Sequence, residues 1–105
     1  MDPHPPQQGP AGLDAKDLEA LAAAWDAFEE GKLEAAAAAA RRLARRTRGH
    51  PEVRLLHAAL LIEEGDAVSA LEELEACAGR VEDAVLHSYY RGVALFDAAR
   101  FEEAE

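Results

Sequence analysis

The chain has little cysteine, little positive charge and no long apolar run. Its 105 residues include one cysteine, Cys77, so an internal disulfide is excluded and a reducing compartment fits. No apolar run approaches the roughly 20 residues that a membrane-spanning helix needs. The first residues have neither the basic nor the apolar region of a secretory signal. These features predict a cytoplasmic protein.

Acidic residues outnumber basic residues almost twofold. Lys and Arg number 11 against 21 Asp and Glu, for a formal net charge of −10. Such a charge repels nucleic acid and anionic membranes and attracts basic partners. We therefore expect neither nucleic acid nor a membrane as partner, and the length allows one domain with a small core.

Recognisable catalytic motifs are also missing. The sequence has no Gly-rich phosphate loop and no GxSxG nucleophile motif. None of its histidines is paired in the HExxH arrangement of zinc peptidases. We expect no enzyme activity, no cofactor and no metal site, and we interpret Cys77 as a small core residue rather than a nucleophile.

The chain divides into a lead-in and a helical part. Residues 1–12 contain four prolines, two glutamines and two glycines, a composition typical of a flexible segment. From there on, apolar residues recur at helical spacing. Leu18, Leu21, Trp25 and Phe28 share one face at intervals of three, four and three. Turn signals occur around Gly31, at 49–51, at 65–66, at 79 and near 99. They predict five helices, at about 15–30, 33–48, 51–64, 67–78 and 84–98, and a sixth that begins at 100.

The second predicted helix ends in a cluster of arginines, namely Arg41, Arg42, Arg45, Arg46 and Arg48. One interpretation is a basic patch for nucleic acid or phosphate. The other is a solvated face that complements the negative end of the helix dipole and pairs with nearby acids. Because the chain is acidic and no aromatic residue is interleaved, we favour the second interpretation.

Small residues recur with a period of 34. Gly31, Gly65 and Ala99 occupy the predicted turns, and two further sets keep the same interval, namely Ala24, Ala58, Gly92 and Ala36, Ala70, Ala104. A period of 34 over helix–turn–helix units is the signature of tetratricopeptide repeats.

The segment YYRGVALFDAARFEEAE at 89–105 resembles the tetratricopeptide consensus. The resemblance covers about residues 17–105 and implies two and a half repeats, at about 17–50, 51–84 and an incomplete 85–105, in a domain spanning 13–105. The implied fold is all-α, an α-α superhelix of antiparallel helix pairs. The sequence departs from the family pattern at several positions usually occupied by larger apolar residues, among them Ala20, Arg54 and Ser88.

The resemblance further implies a concave groove that binds a peptide or helix. Carried over residue by residue, the groove would include Leu18, Leu21, Trp25, Phe28, Glu29, Leu55, Ile62, Glu63, Tyr89, Val93, Phe96 and Asp97. Its floor would be apolar with aromatic anchors, and one edge would carry an acidic ladder. Such a surface suits an amphipathic partner with basic flanks. The alternative is that the aromatic residues pack within the helical array and the acids are solvated helix ends.

Two other functions stay open at this point. The opening LEALAAAWDAFEEGKLEAA resembles bacterial proteins that join such repeats to a small zinc-peptidase domain, which would make this chain the N-terminal arm of a larger enzyme. Alternatively, the incomplete third repeat leaves an apolar end that a second copy would cover, which would make the chain a self-assembly module and a homodimer through its C-terminal end.

Overall fold

The computed structural model describes residues 12–104, with side chains described for residues 12–100. The predicted lead-in, apart from Gly12, lies outside this range. The described residues form five α-helices and no strand, namely α1 (Ala15–Glu29), α2 (Leu33–Thr47), α3 (Pro51–Glu63), α4 (Ala67–Ala76) and α5 (Ala84–Ala104). The prediction of an all-α fold is confirmed.

The turns after α1 and α3 have the same hydrogen bonds. Lys32 N–H donates to the Ala27 carbonyl, and Asp66 N–H donates to the Leu61 carbonyl, each at 2.8 Å. The residue before each donor is a glycine with positive φ, +82° at Gly31 and +86° at Gly65. This left-handed conformation commonly ends helices in this way. Two helix pairs, α1 with α2 and α3 with α4, therefore have closely matching turns.

Short polar side chains begin three of the helices. The carboxylates of Asp14, Asp66 and Asp83 accept hydrogen bonds from backbone N–H groups three residues later, at 2.8, 3.1 and 2.9 Å. Each satisfies a donor that the first turn of a helix leaves unpaired. Aspartate is among the residues that are preferred at this position.

The helix α3 lies at the centre of the molecule. It packs against α1, α2, α4 and α5, and six of its thirteen residues are buried. Leu56 and Leu60 belong to a core shared with α1 and α2, whereas Leu55 and Ala58 belong to a second core shared with α4 and α5. A helix that is apolar around most of its circumference is stable only when it is covered on several sides.

The last helix differs from the prediction. We expected a turn near Ala99 and a sixth helix from Arg100, but α5 continues without interruption to Ala104. Ala99 replaces the glycine that ends α1 and α3, and alanine favours the helix over the left-handed turn. The period of 34 therefore does not extend to a third turn.

Ion pairs and a buried thiol complete the packing. Arg46, from the arginine cluster of α2, places Nε and Nη2 each 2.9 Å from Asp17 Oδ1 at the start of α1. Arg54 of α3 contacts Glu73 of α4 at 3.0 Å. Cys77 is fully buried, as expected for a core residue, and burial raises the pKa of its thiol, with the nearby Glu73 carboxylate adding to the effect.

Candidate functional site

Four aromatic side chains of α1 and α5 form a continuous series, in which each ring contacts the next. Phe28 meets Trp25 edge to face at a centroid distance of 5.7 Å. The Trp25 ring stacks on Tyr90 at 6.1 Å with an interplanar angle of 25°, and Tyr90 meets Tyr89 at 5.2 Å. We call these four side chains the aromatic row. It forms because Trp25 packs against both cores and so reaches from α1 towards α5.

Acidic side chains lie next to the row. Burial raises the pKa of the Tyr90 phenol, and Tyr89, Glu29 and Glu63 raise it further. The two carboxylates have this effect because negative charge near a phenol disfavours the phenolate. Both acids are exposed residues at the ends of α1 and α3. The row thus combines aromatic surface with negative potential, an arrangement that attracts a cationic side chain.

The structure separates the twelve predicted groove residues into three groups. Leu21 is buried in the first core and Leu55 in the second. Trp25, Phe28, Tyr89, Glu29 and Glu63 gather at or beside the aromatic row.

The remaining predicted residues are distributed around these. Ile62 packs against the second core, and Leu18 packs against the first. Val93 and Asp97 of α5 are half-buried. Phe96 of α5 is 63% exposed, and the guanidinium of Arg100 lies 5.6 Å from the centre of its ring.

Tyr90 is the residue of this site that sequence analysis missed. The repeat pattern placed Tyr89, not Tyr90, among the groove positions. In the structure Tyr90 is half-buried against the second core and contacts both Trp25 and Tyr89. Two adjacent tyrosines in an otherwise aromatic-poor chain were the signal available in the sequence, because either ring could have faced the groove.

Two shallow clefts lie away from the aromatic row. One of about 460 Å³ runs between α1 and α2 and is lined mainly by alanines such as Ala20, Ala23 and Ala39, with Lys16 and Arg42 at its rim. The other, of about 370 Å³, is lined by arginines of α2, by Val53 and by the Arg54, His57 and Glu73 group. In that group His57 Nδ1 lies 3.4 Å from Glu73, so the Glu73 carboxylate contacts both Arg54 and His57.

Within residues 12–104, with side chains described up to residue 100, no three His, Cys, Asp or Glu residues come together in a way that would hold a metal ion. None of the helices in the same range combines the length and the apolarity that crossing a bilayer demands. The side chains that are brought together are aromatic, acidic and aliphatic, and this chemistry suits non-covalent recognition.

Comparison of the chain with protein-family models, with curated proteins and with solved structures found no match in any of the three.

Proposed function

We propose that this chain is a non-enzymatic, tetratricopeptide-like interaction module that binds an amphipathic peptide or helix along the aromatic row. The observation that carries the proposal is the unbroken contact of Phe28, Trp25, Tyr90 and Tyr89, with Glu29 and Glu63 acting on the same phenol. Rings of this kind supply large contact area with few rotatable bonds, and tryptophan and tyrosine are enriched where binding energy concentrates.

The partner's chemistry follows from the two components of the surface. Tyr89 is 60% exposed and offers apolar contact area, so the partner needs an apolar anchor. The carboxylates and the ring faces both favour a cation, so the partner needs lysine or arginine beside that anchor. The net charge of −10 would speed the approach of such a partner.

The repeat-type architecture and a cytoplasmic location are part of the same proposal. The matching turns after α1 and α3, each with a positive-φ glycine and the same hydrogen bond, support the architecture. A buried, unpaired Cys77 is compatible with a reducing compartment.

A peptide-binding assay tests this function. The probes are two fluorescently labelled 16-residue amphipathic helices with the same leucines, one with lysine and one with glutamate at every polar position. We expect the lysine probe alone to bind the full chain. Tyr89→Ala should weaken binding by about 30-fold, the size of an interfacial hot spot. Glu29→Gln with Glu63→Gln should weaken it several-fold, and less so at high salt, because salt screens exposed charges.

Matched controls come from exposed residues of α4. Val68 is 62% exposed, and Glu72 is exposed on the same helix; Val68→Ala and Glu72→Gln should leave binding unchanged. Equal binding of both probes, or equal losses in the control and test variants, would overturn the proposal, because the surface would then bind apolar helices without regard to the aromatic row.

A further inference from the structure

One face of α5 carries a line of exposed apolar residues, which we call the apolar seam. Val85, Tyr89, Gly92, Phe96 and Ala99 are spaced by four, three, four and three residues and all are exposed. Val85 is 79% exposed. A 4-3 spacing places side chains in one line along a helix, and this is the pattern of a helix that packs lengthwise against another helix.

Gly92 has no close neighbour among the described residues that would require a glycine there. It lies inside α5 at a helical φ, and a Cβ added there would meet no atom within 4 Å. Glycine weakens a helix interior relative to alanine, so this position loses stability without a packing benefit in the single chain. A close approach by a second helix would explain the missing side chain, because glycine leaves room for a large residue opposite.

We infer that the covering helix is α5 of a second copy of this chain, packed antiparallel across a two-fold axis. We take the antiparallel register in which Tyr89 of each copy lies opposite Gly92 of the other. In this register Phe96 of each copy lies against Val85 of the other. Each large side chain meets a smaller one, and each contact occurs twice, as an isologous interface requires.

The charges at the ends of the seam agree with this register. Arg100, at the C-terminal end, comes alongside Glu82 and Asp83, which precede the N-terminal end of α5 in the other copy. All three residues are exposed. A parallel pairing would instead place Arg100 beside Arg100 and the acids beside the acids, and like charges in contact disfavour that arrangement.

The interface is small. The seam covers 15 residues of α5, or about 21 Å at 1.5 Å per residue, and a helix pair of that length buries less than about 1,200 Å² in total, the size of weak interfaces. We therefore expect a monomer–dimer equilibrium with a dissociation constant on the order of 10–100 μM. This inference does not rest on peptide binding.

Sedimentation equilibrium of the full chain between about 5 μM and 1 mM tests the pairing. We expect the average mass to rise from monomer to dimer and not beyond, since a two-fold interface is closed. Phe96→Ser and Val85→Ser should each shift the equilibrium towards monomer by at least about tenfold, as large-to-small changes at a contact do. Val68→Ser on α4 is the matched control for loss of an exposed aliphatic side chain.

Gly92→Ala gives a sharper test because two observables move in opposite directions. The melting temperature at low concentration, where the chain is monomeric, should rise, since the added methyl stabilises α5 and meets nothing. The dimer should weaken by roughly tenfold, because the same methyl collides with Tyr89 of the partner copy. An unfolded variant would also lose the dimer, but it could not show a raised melting temperature, so failure to fold cannot imitate the two results together.

Three outcomes overturn the pairing. A monomer up to 1 mM would mean that no second copy covers the seam. A dimer unaffected by Val85→Ser, Phe96→Ser and Gly92→Ala would place the interface elsewhere. Growth beyond a dimer would show a head-to-tail contact, in which the seam meets a different surface of the next copy.

Discussion

Replacing Trp25 with alanine should destabilise the whole molecule, and not only remove a contact residue. The side chain is half-buried and packs against both cores, and it contacts the rings of Phe28 and Tyr90. Removing a fully buried tryptophan costs about 3–5 kcal/mol. Half of that cost, together with about 0.5–1.5 kcal/mol for each of the two ring pairs, gives a loss of about 2.5–5.5 kcal/mol in the free energy of unfolding.

Urea unfolding followed by far-UV circular dichroism measures this loss. For a domain of this size the free energy of unfolding falls by about 1 kcal/mol per molar urea, so the midpoint should fall by about 2.5 M or more. Phe96→Ala is the matched control, because Phe96 is exposed on α5 and its loss should change the free energy of unfolding by less than about 0.5 kcal/mol. Equal small shifts in the two variants would refute the argument that Trp25 joins the two cores.

Three further results are expected. Because burial raises the pKa of the Cys77 thiol, the native chain holds that proton more tightly than the unfolded chain, so its contribution to stability should be full below about pH 9 and be lost as pH rises through the folded pKa. Urea unfolding between about pH 7.5 and 10.5 should therefore show stability falling less steeply with pH in Cys77→Ala than in the original chain. Parallel slopes would contradict the assignment. Arg46→Met leaves the mostly buried Asp17 carboxylate without its cation and should lower the free energy of unfolding, measured by thermal unfolding, by about 1–2 kcal/mol. Arg42→Met, at an exposed arginine of the same helix, should change it by almost nothing. Equal effects of the two changes would show that the ion pair adds no stability. Gly65→Ala should cost about 1 kcal/mol, because the added methyl meets no atom but φ is +86°, and a stabilised variant would show that the turn can relax.

The helices, their N-caps and the two glycine turns could be read from sequence because their causes are local. Asp14, Asp66 and Asp83 each bond to a backbone group three residues away, and Gly31 and Gly65 each supply a conformation that depends on little beyond the residue itself. Such interactions depend on spacing alone, and spacing is visible in a sequence.

Only the tertiary structure decided how the aromatic and aliphatic side chains divide between core and surface. Trp25 and Tyr90 stack although they lie at opposite ends of the domain in sequence, because α3 brings the two cores together and Trp25 reaches both. The length of α5 was likewise decided by competition between a turn and continued helix, which the 34-residue period could not settle once Ala99 replaced glycine. Long-range contacts of this kind depend on how helices pack, and the spacing of residues within one helix does not contain that information.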